Sequence, residues 1–451
     1  MGLVVDLFAG GGGASLGVER ALGRPIDLAI NHDWDALRNH HANHPHTRHL
    51  VEDITEVVPL VATRGEPVDV LWASPDCRHF SRAKGGKPCH PKVRSLAWQV
   101  VEWAKQTRPQ VIGMENVPEF LTWGPLGEDH RPIEARKGET FSAWVNELRE
   151  LGYHVDWRVL TACNYGAPTS RKRLFVVARL GDDVTWPEPT HGPGLTPYRT
   201  AAECIDWSDL GASIFNRKRP LADATHRRIA HGLVRFVLEA KRPFLINTRN
   251  GERPGQTPRC LSVDEPMRTI TAAGSQGALV VPWIAKHYGG VVGHGVARPL
   301  GTITATDSHG LAVAYLTKFN GTSIGSQPDA PLGTITAGAG GGHHGLVAAF
   351  LTKFYGRSIG QPADAPVGTL TTKDRFGLVT VEVNGETYAV VDVSMRMLQP
   401  HELQLAQGFP ASYRLEGTKK LRTRLIGNSV PPQLSEAVIR ANAPRLRRAV
   451  A

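Results

Sequence analysis

The chain has 451 residues, 41% hydrophobic and 21% charged, a length that implies two or more domains and a composition that excludes a mainly disordered chain. No run approaches the roughly 20 apolar residues of a membrane helix, and the start of the chain lacks a basic n-region, so neither a membrane segment nor a secretory signal is expected. The formal charge of +10 suits a polyanionic partner, and five scattered cysteines without a CxxC pair (Cys77, Cys89, Cys163, Cys204, Cys260) suit a reducing, cytoplasmic setting.

Along the first 180 residues, short apolar runs alternate with helical patterns. Leu3–Phe8, Asp27–Ile30, Val68–Ala73, Gln110–Met114 and Leu174–Ala178 read as strands. Between them, Ala14–Ala21, Trp34–Asn43, Val93–Thr107 and Phe141–Leu151 read as helices. This alternation predicts an α/β fold with a doubly wound parallel sheet and ligands at the carboxyl ends of its strands.

The texture changes after about residue 180. Trp186–Pro197 is rich in Pro and Gly, and short β-branched runs come after it. A Pro–x–x–Thr–[Ile/Leu]–Thr unit recurs at 266–271, 299–304, 331–336 and 366–371, with offsets of 33, 32 and 35 residues. Such a period predicts one supersecondary unit copied several times over about 266–380. Basic residues at related places (Lys318, Lys353, Arg357, Lys373, Arg375) fit either a plain structural array or a nucleic-acid surface. Two amphipathic helices are expected near the end, Met395–Gln407 and Gln433–Asn442. The division predicted is 1–184 with 411–451 as one domain and 185–410 as a second.

Several segments carry chemistry. Asp6 to Gly17 (DLFAGGGGASLG) succeeds the first strand and opens a helix. Its glycines Gly10, Gly11 and Gly12 permit close backbone approach to a ligand, which a helix amino terminus also favours. Asp33 lies 22 residues after Gly11, where an acidic side chain meets ribose hydroxyls, and Trp34 can cover an adenine ring. The bland alternative is a solvated Asp and a core Trp. Cys77, in Ser74-Pro-Asp-Cys-Arg-His-Phe-Ser81, sits just past a strand end. Arg78 and His79 favour its thiolate, while Asp76 opposes it. The basic Gly-Gly segment after it, Arg82–Pro88, suits a loop that closes over a polyanion. Glu115 stands at another strand end, where it can converge on Cys77 and hold or deliver a proton. Arg171 and Arg173 can point one way from an extended segment. The histidines between His40 and His49 read as a polar helix end and loop. No spacing pairs them, or Cys77, His79, Cys89 and His90, with a second zinc knuckle, so no metal is expected.

Taken in order, these segments resemble the DNA (cytosine-5) methyltransferase family. Asp6–Gly17, with Phe8, is similar to its cofactor loop, Asp33-Trp34 to its ribose and adenine contact, and Asp53-Ile54 to the next cofactor position. Ser74–Cys77 resembles the Pro-Cys motif, Glu115-Asn-Val the Glu-Asn-Val motif, and Arg171-Lys-Arg173 the paired-arginine motif. Arg396–Pro410 resembles the motif closing the recognition domain, and Ile426–Pro432 (IGNSVPP) the final Gly-Asn-x-Val-Pro motif. Three positions depart from the family: Asp76 replaces a Pro, Arg78 a Gln, and Thr169 a Gln. The resemblance implies a Rossmann-like methyltransferase domain with an inserted, mostly-β, repeat-containing target-recognition domain. It also implies S-adenosylmethionine held by Asp6, Phe8, the glycines, Asp33, Trp34, Asp53, Ile54, Pro75, Asn428 and Val430. The implied substrate is double-stranded DNA, bound by a monomer, with a cytosine flipped and attacked at carbon 6 by Cys77, assisted by Glu115, Arg171 and Arg173. RNA methylation by the same chemistry and a catalytically silent DNA binder are the rival readings. A nicotinamide dehydrogenase would leave Cys77, Glu115 and Arg173 without a joint role.

Overall fold

The computed structural model describes residues 1–76, 96–204, 206, 209 and 399–443, with main chain only at 201–202, and the backbone of ten strands between 212 and 397. A seven-stranded sheet organises the first part. Its strands are β1 (Leu3–Leu7), β2 (Leu28–Ile30), β3 (Arg48–Leu50), β4 (Val68–Ala73), β5 (Val111–Asn116), β6 (Tyr153–Thr161) and β7 (Lys172–Leu180), in the order β3-β2-β1-β4-β5-β7-β6. The β1–β2, β1–β4, β4–β5 and β2–β3 pairs are parallel, whereas β7 runs antiparallel to both β5 and β6. The sheet is therefore mixed, not wholly parallel as the strand–helix alternation predicts. The cause is local: β6 and β7 are joined by residues 162–171 and pair along their full lengths from Thr161↔Lys172, as a hairpin must.

The helices α1 (Gly13–Leu22), α2 (Trp34–His41), α3 (Pro59–Ala62), α4 (Trp98–Thr107) and α5 (Glu139–Glu150) alternate with the early strands. Continuous apolar runs in β1, β4 and β5 are buried almost throughout, as expected of strands covered on both faces. One core layer gathers Trp103, Phe120, Phe141 and Trp144 against β4, β5 and β7. The other packs Val18, Trp72 and Phe175 against the carboxyl-terminal helix α8 (Pro432–Asn442). Helix α1 crosses α8 so closely that a Cβ on Gly17 would lie 2.2 Å from the Pro432 carbonyl. That contact returns the last helix to the first.

Two further helices precede α8: α6 (Pro400–Ala406) and α7 (Lys419–Asn428). The expected helix Met395–Gln407 begins too early. Met395–Met397 belong to the last strand, Glu386–Met397, and Pro400, with its fixed φ and no N–H, opens α6. A capping box between Gln399 and Glu402 fixes that start.

The second sheet has ten strands. Its main path is β10 (Cys260–Ser262), β9 (Phe244–Thr248), β11 (Gly277–Lys286), β13 (His309–Lys318), β15 (His344–Thr352), β17 (Glu386–Met397) and β16 (Thr380–Val383), all antiparallel. Short strands β8 (Ala212–Ser213), β12 (His294–Gly295) and β14 (Ser323–Ser326) pair with β17, β11 and β9. The Gly-Leu pairs Gly310-Leu311 and Gly345-Leu346 fall in β13 and β15, with Gly277-Ala278 at the equivalent place in β11. Three copies of the sequence period thus supply three neighbouring antiparallel strands. The Pro–x–x–Thr units themselves lie outside the described residues.

Candidate active site

Sheet topology brings the predicted site together at one edge. Leu7, Ile30, Ala73 and Asn116 end their strands in register or within two residues of it, so the segments beyond these four residues emerge on the same side. Antiparallel β7 contributes its first residues there, with Leu174 opposite Asn116. The glycine turn, the Asp33 segment, Pro75, Glu115 and Arg173 therefore share one edge.

The turn after β1 is bent sharply. Phe8 has φ 63° and Gly12 φ 85°, both left-handed, and such strain at a non-glycine residue clusters at functional sites. The Ala9 N–H donates to the Ile30 carbonyl (3.0 Å), and Asn31 Nδ2 donates to the Ala9 carbonyl (2.9 Å), tying the turn to β2. Gly11 and Gly13 are close-packed: a Cβ would stand 2.9 Å from Ser429 Oγ and 2.2 Å from the Val430 carbonyl, respectively. Among the described residues, a Cβ on Gly10 would meet nothing within 4 Å. The turn is thus closed on one side by the carboxyl-terminal segment and open on the other at Gly10.

Asp6 is buried at the end of β1. Ser15 Oγ lies 2.5 Å from its Oδ2, while Oδ1 has no hydrogen-bond partner among the described residues. Burial is the main cause that pushes its pKa up to about 7, with the Glu19 charge adding to it and the Ser15 bond opposing it. Asp33 caps α2 by accepting from the Ala36 N–H, and its other oxygen pairs with Arg424 of α7. Although partial burial pushes the other way, those bonds leave its carboxyl below the ordinary range. The adjoining Trp34 is 64% exposed, so it is a surface ring and not a core Trp.

The remaining positions expected from sequence to meet a cofactor separate. Asp53 is exposed and accepts from the Thr55 N–H and hydroxyl, whereas Ile54 is buried in the core. Asn428 is exposed at the end of α7, and Val430 is buried against α1.

At the β5 end, Arg173 Nε stands 2.8 Å from Glu115 Oε1, with both side chains less than a tenth exposed. Asn116 Nδ2 donates to the Pro75 carbonyl (3.2 Å), fixing the segment that leads to Cys77 beside Glu115. Arg171 is buried, and its carbonyl accepts from the Ala162 N–H. Cys77, with the basic segment after it, lies outside the described residues. Cys163 and Cys204 are free, and burial pushes both thiols up to about 12, which makes them poor nucleophiles.

The histidine-rich segment is the end of α2 and the loop after it, with His41 and His46 exposed, yet two of its histidines turn inward. His40 and His44 are buried behind the glycine turn. His44 Nε2 lies 3.1 Å from the Tyr413 hydroxyl, which donates to the Gly11 carbonyl (2.9 Å). Tyr413 has no sequence signal of its own beyond an aromatic residue shortly after Gly408-Phe-Pro410.

A buried carboxylate–guanidinium pair and a glycine turn stand at one edge of the α/β sheet, the edge at which such sheets bind their ligands. The chain belongs to the C-5 cytosine-specific DNA methylase family, whose model matches residues 3–198 and 353–443, more than half of its length. It is 29% identical over 220 residues to the type II methyltransferase M.AquIA of Picosynechococcus, covering 45% of this chain and 87% of that protein. To M1.HphI of Haemophilus parahaemolyticus it is 31% identical over 207 residues, 45% of this chain and 51% of the relative. The match to M.SacI of Streptomyces achromogenes, 29% identical over 212 residues, covers 42% and 50%. M.AquIA apart, the chain spans about half the length of these relatives. A solved Spodoptera frugiperda DNMT2 variant aligns over 98% of this chain and 99% of its own at 15% identity, with a TM-score of 0.49.

Proposed function

We propose that this chain methylates carbon 5 of cytosine in double-stranded DNA, as a cytoplasmic monomer, with S-adenosylmethionine as the methyl donor. The observation that carries the reading is the buried Glu115–Arg173 pair, placed beside the Pro75 segment that leads into Cys77.

The residues at the turn fit that donor. The open side at Gly10, the left-handed Phe8 and Gly12, the unpartnered Asp6 Oδ1 and the exposed Trp34 form a cradle for an adenosyl group. In this reading Asp33, besides its bonds to the Ala36 N–H and Arg424, accepts from the ribose hydroxyls, and Asp53 and Asn428 are exposed polar groups at the rim. Ile54 and Val430 serve through packing. When bound, the cofactor supplies an electrophilic methyl group.

The protein's own groups account for the rest. A cytosine must leave the duplex stack before carbon 6 can be reached. The Cys77 thiolate adds to carbon 6, forming a carbon–sulfur bond and pushing electron density toward carbon 5. Glu115 engages the ring nitrogen beside the exocyclic amine, and Arg173, with Arg171, polarises the ring carbonyl. After methylation, loss of the carbon-5 proton expels Cys77 and restores the ring. The Asp76 carbonyl replaces that of the family's proline as acceptor for the exocyclic amine.

The segment 185–410 is the target-recognition domain in this reading. Its antiparallel array and repeated lysines suit a surface that contacts many phosphates and a few base edges. The domain at 1–184 with 411–451 is supported by the packing of α8 on α1.

Product analysis tests the proposal. Incubation with S-adenosylmethionine and unmethylated duplex DNA, digestion and mass spectrometry should yield 5-methylcytosine. The product should vanish in Cys77→Ala, while DNA binding persists. Turnover near wild type in that variant would remove Cys77 as nucleophile. Absence of product on DNA of varied sequence would overturn the DNA reading.

A further inference from the structure

Four polar side chains form a continuous chain behind the glycine turn. Asp6 Oδ2 lies 2.5 Å from Ser15 Oγ, Ser15 Oγ 2.8 Å from His40 Nε2, and His40 Nδ1 2.8 Å from His49 Nε2. Asp6, Ser15 and His40 are each at most 2% exposed, and His49 is half-buried on β3. The methylation chemistry uses none of Ser15, His40 and His49.

Each link can donate in either direction, because a hydroxyl and a neutral imidazole both carry one donor and an acceptor. With Asp6 ionised, Ser15 donates to Asp6, His40 Nε2–H to Ser15, and His49 Nε2–H to His40 Nδ1. With Asp6 protonated, every bond reverses: Asp6 donates to Ser15, Ser15 to His40 Nε2, and His40 Nδ1–H to His49 Nε2. The two states differ by one proton on the chain and by the tautomers of both histidines.

We infer that Asp6, Ser15, His40 and His49 form a reversible donor chain through which cofactor binding at the glycine turn expels a proton, with His40 as its positioning residue. The inference rests on the reading that S-adenosylmethionine occupies this turn. The step balances. The Asp6 proton passes to Ser15, the Ser15 proton to His40 Nε2, and the His40 Nδ1 proton to His49 Nε2. The His49 Nδ1 proton then leaves to water.

Several features place both states within reach. The partnerless Oδ1 makes the buried carboxylate costly to ionise, and the Asp6 pKa is pushed up to about 7. The groups facing the chain are Glu19 on α1, His41 at the end of α2, His44 in the loop after it, and Tyr413 from the carboxyl-terminal segment. Glu19 opposes ionisation of Asp6. Burial and the neighbouring histidines hold His40 neutral, so it relays a proton and does not store one. When bound at this turn, S-adenosylmethionine would bring a sulfonium cation, which would favour the ionised Asp6. S-adenosylhomocysteine lacks that charge.

Calorimetry in two buffers of different ionisation enthalpy, joined to nitrogen-15 NMR of the histidine rings, tests this on the wild-type chain. Release of roughly half a proton per S-adenosylmethionine is expected at pH 7, and binding about tenfold weaker at pH 6 than at pH 8. S-adenosylhomocysteine should release less. His40 and His49 should switch from the Nδ1–H to the Nε2–H tautomer on saturation with S-adenosylmethionine, and Asp6→Asn should abolish both release and switch. Binding with no proton release and unchanged tautomers would overturn the donor chain alone. No binding of either compound would overturn the cofactor reading and this inference with it.

Discussion

Arg173 Nε stands 2.8 Å from Glu115 Oε1, although the two residues lie on antiparallel neighbours and far apart in sequence. Removing one partner of such a buried pair leaves an uncompensated charge. Arg173→Ala is therefore expected to lose about 3–5 kcal/mol of stability in urea melts. Methyl incorporation should fall by about 10²–10³ where folded protein remains. Glu115→Gln keeps the shape and a hydrogen bond, so it should lose activity to a similar degree with a smaller stability loss. Equal activity in wild type and Glu115→Gln would remove Glu115 from the ring-binding role.

The two sides of the glycine turn predict opposite behaviour for two alanine variants. A Cβ at Gly12 would lie 1.9 Å from the Tyr413 hydroxyl, at a φ of 85° that side chains rarely adopt. Gly12→Ala should cost about 1–3 kcal/mol and lower the melting temperature. A Cβ at Gly10 meets nothing within 4 Å among the described residues. Gly10→Ala should leave the melting temperature nearly unchanged yet raise the KM for S-adenosylmethionine at least several-fold. A Gly10→Ala enzyme with wild-type KM would place the cofactor elsewhere.

Strand-end positions are readable in the sequence because the parallel sheet has a strong signal. Val68–Ala73 reads as an apolar run, and the residues just past such a run must emerge at the carboxyl edge; Glu115 and Pro75 are placed by that logic alone. The reversal of β7 is hidden, since an apolar run carries no direction. Strand β6 is hard to see because its exposed charged residues, such as Asp156 and Arg158, dilute the pattern. Helix α7 is hidden because Lys419–Asn428 is mostly basic and polar. The buried role of His40 and His44 depends on Ser15, Glu19 and Tyr413, and the last arrives from the far end of the chain. A polar helix end does not show in the sequence which of its histidines turn inward until those partners are in place. The internal period predicts repeated strands, but their sheet order comes from pairing over long separations.

Asp33 and Trp34 separate adenosine recognition from folding. Trp34 is 64% exposed and belongs to neither core layer, so Trp34→Ala should change stability by less than about 0.5 kcal/mol. It should still weaken S-adenosylmethionine binding by roughly tenfold, the worth of one stacked ring. Asp33 differs, because it also caps α2 and pairs with Arg424. Asp33→Ala should cost about 1 kcal/mol through the lost cap alone. Arg424→Ala preserves the cap, so a rise in KM without loss of stability would show that the pair orients Asp33 for ribose. Titration calorimetry and thermal melts on the three variants separate these effects.

Acid should unfold the protein through its histidines before its carboxylates. Burial holds His40 well below the ordinary imidazole range and takes His49 to about 4. A lowered folded-state pKa gives stability that is present above the unfolded value of about 6.5 and lost as pH falls below it. Fully buried His40 should contribute a slope of about 1.4 kcal/mol per pH unit there, and partly solvated His49 a smaller one. Asp6 acts oppositely. Its pKa, raised to about 7, gives stability present below about 4 and lost as pH rises toward 7, which offsets about one histidine across that window. Asp6→Asn removes the offset, so the variant should be more stable than wild type at pH 8 but lose stability more steeply between pH 6.5 and 4. Urea melts across that range decide it. A variant with the wild-type slope would show that Asp6 is already ionised in the folded protein at low pH.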